Sequence, residues 1–308
     1  MEKHVKKDFL QITDFTRDEI FETFSLCADL KAKTKADEPH HLLKGQTLAM
    51  LFQKPSTRTR VSFEVGMYQL GGHALYLSPN EVGVGKRESV ADVARVLSRF
   101  NDGIMARVFG HDIVEGLAHY ASVPVINGLS DLTHPCQIMG DIFTVFEHKG
   151  RYEDLKIAYV GDGNNVTNSW INLAARLSLD LRVGCPQGYE PNMDLVKKAQ
   201  AEGKSEIQIF NDPFEAVKDA DVVYTDVWAS MGQEEEAKAR KKIFMPFQVN
   251  DKLIAAADND CLVLHCLPAH RGDEITDDVI DGPHSVVFDE AENRLHIQKA
   301  IMVRLMKK

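Results

Sequence analysis

The sequence contains no apolar run of about 18 or more residues, so no transmembrane helix is expected. Its opening stretch, MEKHVKKDFLQITDF, has no apolar core of the kind a signal peptide carries. The five cysteines (Cys27, Cys136, Cys185, Cys261, Cys266) are odd in number, dispersed and without a CxxC pair. That pattern excludes a disulfide framework and fits reduced thiols. Ligand clusters at zinc spacing are missing, so neither a metal nor a cofactor is expected. Positive charge is short as well: 36 Lys and Arg stand against 46 Asp and Glu, a formal net charge of −10. A nucleic-acid-binding protein needs a basic footprint, which this balance disfavours. The expectation is a cytoplasmic protein with no membrane or nucleic-acid partner. An anionic ligand would need its cations gathered locally.

What is present is an ordinary globular composition, 44% hydrophobic and 27% charged, over 308 residues. At roughly 150 residues per domain, two domains are expected. Short apolar runs alternate with helical periodicity throughout. In the first half the strand-like segments are 47–52, 73–77, 103–109 and 123–127. In the second they are 156–162, 181–186, 207–210, 221–228 and 261–268. Helices are predicted between them, among them 16–31, 59–70, 88–100, 134–150, 166–177 and 247–257. The first has Thr16 and Glu19 at capping-box spacing, with Ile20, Phe24 and Cys27 at i, i+4 and i+7. This alternation predicts an α/β protein of two doubly wound domains, each a parallel sheet flanked by helices. The break is expected in the polar stretch 148–153, giving domains 1–150 and 151–289. The amphipathic last helix, about 290–306, can close the second domain or pack back on the first, and the sequence leaves both open.

In open α/β sheets ligands bind beyond the C-terminal ends of the strands, and the chemistry-bearing residues fall there. Ser56-Thr57-Arg58-Thr59-Arg60 sits between a strand and a helix. Free N–H groups at a helix start favour anions, and Arg presents a planar fork to phosphate oxygens. Capping needs one hydroxyl, not three, so this segment reads as a phosphate cradle without a Walker lysine. Arg107 ends another strand, and His134-Pro135-Cys136-Gln137 opens a helix after the next. Gly161-Asp162-Gly163-Asn164-Asn165 begins like a dinucleotide fingerprint, but Val166 occupies the third glycine position. It reads better as a tight turn aimed at a small polar ligand. Asp226, at a strand tip, suits an ammonium, and Gly232 in the following Ser230-Met231-Gly232 would permit a hinge. Cys266 leaves the last strand beside His265. Successive strand residues face opposite ways, so His265 is a poor direct base for it.

Taken together these segments resemble the aspartate/ornithine transcarbamoylase family. Ser-Thr-Arg-Thr (56–59) and His-Pro-x-Gln (134–137) are marks of the whole family. Asp-Val-Trp-Ala-Ser-Met-Gly (226–232) and His-Cys-Leu-Pro-Ala-His-Arg-Gly (265–272) are those of its ornithine branch. The resemblance spans about residues 8–305. It implies carbamoyl transfer from carbamoyl phosphate to the δ-amine of L-ornithine, giving citrulline and phosphate, in arginine biosynthesis or in citrulline breakdown. It implies carbamoyl phosphate binding by Ser56, Thr57, Arg58, Thr59, Arg107, His134, Pro135, Cys136, Gln137, Cys266, Leu267 and Arg294. Ornithine would meet Asn165, Asp226, Ser230 and Met231. The catalytic group would be Arg58, Thr59, Arg107, His134 and Cys266, with Cys266 as an orienting contact and not a covalent nucleophile. The resemblance further implies a homo-oligomer built from trimers. One departure is that Gly83 stands where some members place a Gln that binds carbamoyl phosphate. Lys86, in the same loop, is the cation expected to serve a neighbouring subunit's site.

Overall fold

The computed structural model describes residues 6–85, 87–229 and 237–307. The chain forms two compact units, Met1–Gly140 with Arg294–Lys308, and Asp141–Asn293.

In the first unit four parallel strands, β1 (Thr47–Phe52), β2 (His73–Leu77), β3 (Gly103–Arg107) and β4 (Val125–Leu129), lie in the order β2-β1-β3-β4. The central β1 and β3 are almost wholly buried, as their continuous apolar runs require, whereas β2 is an edge strand exposed on alternate residues. The fourth strand begins at Val125 and not at Val123. Pro124 has no N–H to donate to the ladder, and its carbonyl accepts from Ile104 N–H. Phe9 pairs beside Ile126 on the outer edge of β4. Leu51, Val93, Ala106, Val114 and Leu117 are part of a core under the sheet. The first long helix, Arg17–Lys35, starts on the Thr16–Glu19 capping box and buries Ile20, Phe24 and Cys27, the face its spacing predicts.

In the second unit β5 (Leu155–Val160), β6 (Leu179–Gly184), β7 (Glu206–Phe210), β8 (Val222–Thr225) and β9 (Leu262–His265) form a parallel sheet ordered β7-β6-β5-β8-β9. The expected α/β class with two helix-flanked parallel sheets is therefore found. The strand order reverses at β1/β3 in one sheet and at β5/β8 in the other. Crevices open at such switch points, beyond the carboxyl ends of the strands.

Three details refine the expected architecture. The two compact units divide at Gly140–Asp141, inside the continuous helix Pro135–Lys149, and the polar stretch 148–153 forms the turn from that helix into β5. The last helix, Val287–Met306, contributes its residues from Arg294 onward to the first unit, which decides between the two packings the sequence left open. A Cβ on Gly66 would lie 3.1 Å from Met302 Cε and 3.2 Å from Lys299 Cγ, so that helix packs closely on Thr57–Gln69. Finally, the predicted 247–257 helix shrinks to one turn, Asp251–Ile254, capped by Asn250. The real helix there is Ala237–Phe244, closed by a 3₁₀ turn that contains Pro246.

Candidate active site

In the first unit a polar cluster is built from the end of β3, the start of the helix that follows β1, and the last helix. Ser56 is the N-cap of Thr57–Gln69, its hydroxyl accepting from Thr59 N–H at 3.4 Å. Thr59 is fully buried, and two guanidiniums converge on its hydroxyl oxygen: Arg107 Nη1 at 3.1 Å and Arg294 Nη2 at 3.2 Å. A hydroxyl oxygen has two lone pairs, and both are engaged. The Ser56 hydroxyl also donates toward this oxygen, from 3.2 Å, and the Thr59 proton is thereby left to donate to a ligand.

His134 precedes the helix that begins at Pro135 and is almost fully buried. Burial holds its imidazole well below the usual histidine range, and the positive fields of Arg294, Arg107 and Arg58 push in the same direction. The ring is neutral at physiological pH, so it can donate one hydrogen bond without adding charge. Gln137 is buried on the first turn of the same helix. Cys136 donates to Asn127 carbonyl at 3.5 Å, and burial pushes its thiol up to about 12, which makes it inert packing. Ser56, Thr59, Arg107, His134, Gln137 and Arg294 thus share one region, with three arginines focused on His134. Arg60 does not join them. It pairs with Glu64 at 3.1 Å and stacks 4.0 Å over the Tyr76 ring.

In the second unit the turn after β5 meets the end of β8. Gly161 has φ +143°, and a Cβ on Gly163 would fall 2.3 Å from both Glu190 C and Pro191 N. The second glycine is therefore demanded by the neighbouring 189–191 loop, not by a pyrophosphate. Asn164 is the N-cap of Asn165–Ala174, its Oδ1 accepting from Val166 and Thr167 N–H. Its Nδ2 donates to Asp226 Oδ2 at 2.8 Å. Cys266 Sγ donates to the other Asp226 oxygen at 3.0 Å. Burial pushes the Cys266 thiol well above its ordinary range, and Asp226 adds to this, so it stays protonated.

Behind Cys266, His265 Nδ1 accepts from Leu267 N–H at 2.9 Å, which leaves the proton on Nε2, 3.0 Å from Glu274 Oε1. Asp226, His265 and Cys266 offer ligand atoms within 4.8 Å of one another. With both ring nitrogens engaged, however, His265 has no lone pair to give a metal. Leu267 turns through φ +55°, a left-handed conformation rare for a branched residue, held by that His265 bond. Glu290 Oε2 accepts from His265 N–H at 2.9 Å. Arg271, in the same block, is spent on Asp277 and Asp281.

Ser230, Met231 and Gly232 lie outside the described residues, as does Lys86. Three residues at this candidate site stand outside the set the sequence implies. Asn164 is marked by its cap position, one residue before Asn165. Glu274 follows the 265–272 block by two residues. Arg240 sits in a charged run that reads as solvated, yet it is buried and contacts Asp162 at 2.5 Å.

Comparison with known proteins bears on both halves. Residues 7–147 match the family model "Aspartate/ornithine carbamoyltransferase, carbamoyl-P binding domain", and residues 153–305 match "Aspartate/ornithine carbamoyltransferase, Asp/Orn binding domain". The chain is 58% identical over 302 residues to a protein of Syntrophotalea carbinolica named ornithine carbamoyltransferase, covering 98% of this chain and 100% of that one. It is 57% identical to the protein of that name from Thermococcus kodakarensis, covering 97% and 96%. The solved ornithine carbamoyltransferase of Pyrococcus furiosus superposes with a TM-score of 0.94 at 53% identity, over 99% of each chain.

Proposed function

The chain belongs to the aspartate/ornithine carbamoyltransferase family, and from that premise we propose that it transfers the carbamoyl group of carbamoyl phosphate to the δ-amine of L-ornithine. The products are L-citrulline and phosphate, and the step serves arginine biosynthesis. The observation that carries this reading is the Thr59 hydroxyl, buried and held by Arg107 and Arg294 beside neutral His134.

Carbamoyl phosphate is taken by the first unit. The phosphate lies against Ser56, Thr57, Arg58 and Thr59 at the helix start, where backbone N–H groups and guanidiniums hold it as a dianion. Arg107, Thr59 and His134 donate to the carbonyl oxygen, on which negative charge grows as the amine attacks. Each fixed donor of this kind contributes ~10²–10³-fold to rate. Gln137 holds the carbamoyl amide. Arg294 joins the cluster from the last helix.

Ornithine is taken by the second unit. Asp226 holds the α-ammonium, Asn165 holds the α-carboxylate, and Ser230 and Met231 belong to the same recognition segment. Cys266 and Leu267 orient the reacting groups. The δ-amine, whose lysine-like pKa is about 10, attacks as the free base, its lone pair forming the new C–N bond while the C–O bond to phosphate breaks and the departing phosphate takes the proton the nitrogen sheds. No cofactor or metal is needed, because the cradle stabilises the leaving phosphate.

An aspartate-specific site would need cations for a second carboxylate, and Asp226 offers the opposite charge. Putrescine lacks the α-groups that Asp226 and Asn165 would recognise. Citrulline formation, measured with ornithine beside putrescine and aspartate, tests the reading: ornithine must be preferred by orders of magnitude. The protein is further proposed to act in the cytoplasm as a homo-oligomer built from trimers. Among the described residues no helix is long and apolar enough to cross a membrane. Exposed Val61, Val65, Tyr68 and Leu75 leave apolar surface on the first unit. Sedimentation equilibrium tests the assembly.

A further inference from the structure

Arg240 is a buried cation for which the chemistry above has no use. It lies on Ala237–Phe244, is 6% exposed, and has its guanidinium 4.8 Å from the Tyr189 ring centroid and 5.1 Å from that of Phe244. Its Nη2 contacts Asp162 Oδ2 at 2.5 Å, and its Nε donates to Trp228 carbonyl at 2.5 Å. Asp162 belongs to the turn after β5, and Trp228 to the segment after β8. These are the two segments that carry Asn165 and Asp226.

We infer that Arg240 is a positioning residue that sets the spacing between Asn165 and Asp226, and with it the selectivity for an α-amino acid over a simple diamine. The inference rests on the ornithine reading above. Two cross-links join the segments. One is direct, Asn164 to Asp226. The other runs from Asp162 through Arg240 to the Trp228 carbonyl. The strand ends themselves are tied by Thr225 Oγ1 donating to the Val160 carbonyl at 2.7 Å; beyond them Asn164 gives a single side-chain link, and Arg240 adds the second that limits pivoting of the tips. Recognition of an α-carboxylate and an α-ammonium on one carbon demands a fixed separation of their partners, and errors of an ångström cost affinity steeply. A diamine makes no such demand. Arg suits this role better than Lys because its planar fork can reach a carboxylate and a carbonyl at once while stacking on rings.

The charge arrangement supplies an independent readout. Burial raises the Asp162 carboxyl to about 6, against the pull of Arg240 and with a small push from Asp226. Cys185 at the end of β6 and Tyr159 on β5 also feel its charge, and both are neutral at physiological pH. Above pH 6 the Arg240–Asp162 tie is ionic, and below it the tie weakens.

The test uses the full-length enzyme after citrulline formation has been established for the unmodified chain. A wild type that forms no citrulline overturns the functional reading and not this one. In Arg240→Met and in the near-isosteric Asp162→Asn, the KM for ornithine should rise at least tenfold. The KM for carbamoyl phosphate should stay within about twofold, and the ornithine-to-putrescine ratio of kcat/KM should fall by at least tenfold. Arg240→Lys should recover part of the loss. In the wild type the ornithine KM should rise as pH falls through about 6, and in Asp162→Asn that inflection should vanish. An equal rise in both KM values, or a fall in kcat alone, overturns the inference. An unchanged substrate ratio in folded Asp162→Asn does so as well. If Arg240→Met fails to fold, Asp162→Asn and Arg240→Lys decide the matter.

Discussion

Thr59→Val is the sharpest perturbation of the phosphate side. Valine keeps the β-branched shape, so neither the helix start nor the packing at this fully buried position changes much. What disappears is one oxygen that accepts from Arg107 and Arg294. A hydrogen bond to a charged group is worth about 1.5–3 kcal/mol. In the free enzyme both guanidiniums lose an acceptor, and bound phosphate can restore part of the loss. If the equivalent of one bond persists in the transition state, about 2 kcal/mol, kcat/KM for carbamoyl phosphate falls ~30-fold. If both are lost, about 4 kcal/mol, the fall approaches ~10³-fold. The hydroxyl proton is also the donor proposed for the carbonyl oxygen, so kcat should drop more than KM rises. The assay is steady-state citrulline formation with each substrate varied in turn, beside a melting curve. The KM for ornithine should not move. A folded Thr59→Val enzyme within threefold of wild type in kcat/KM for carbamoyl phosphate would refute the hydroxyl as the organising centre.

Three further outcomes are expected. Cys266→Ser should keep measurable turnover, since a thiol held protonated against Asp226 is no thiolate nucleophile; trapping of a carbamoyl thioester on the wild type by mass spectrometry would contradict this. Gly163→Ala should destabilise by about 1–3 kcal/mol, because its Cβ meets backbone atoms at 2.3 Å; a melting temperature equal to wild type would show that the 189–191 loop yields. His134, lowered well below 6.5, resists protonation in the fold and accepts it when unfolded. Its contribution to stability is therefore intact above pH 6.5 and is lost as pH falls below it, by up to about 1.4 kcal/mol per unit. His134→Gln should have a shallower acid limb in denaturant midpoints, and an unchanged slope would place the proton uptake elsewhere.

Much of the candidate site is legible in the sequence, because ligand groups in a doubly wound sheet follow the strands. What escaped was set by tertiary context. Asn164 and Asn165 look interchangeable in the sequence. The helix begins at Asn165, so Asn164 takes the cap, commits its oxygen to backbone N–H groups and has its amide nitrogen turned to Asp226. Arg240 stands among Lys and Glu and shows no periodic apolar face, yet Tyr189 and Phe244 provide the ring walls that bury it. Glu274, two residues past the 265–272 block, and Glu290, well beyond it, are fully or nearly buried carboxyls. The fold turns both onto His265, through its ring and its backbone N–H.

Arg58, Arg60, Arg107, Arg271 and Arg294 look like five cations gathered near strand ends against a net −10. Arg58 and Arg60 are two residues apart on one helix, and such positions do not face each other. One of the pair had to point away, and Arg60 does, onto Glu64 and Tyr76. Arg271 is neutralised by two aspartates. Three guanidiniums remain, all acting on His134, and three are enough. A carbamoyl phosphate dianion adds two negative charges to a pocket with an excess of about three positive. Discharging the product then needs no further counter-ion. It follows that high salt should weaken carbamoyl phosphate binding less than its charge suggests, because two of the three cations, Arg107 and Arg294, are buried and their fields are poorly screened. A KM for carbamoyl phosphate that climbs tenfold between 0.05 and 0.5 M potassium chloride would place the binding cations at the surface and overturn this picture of the cradle.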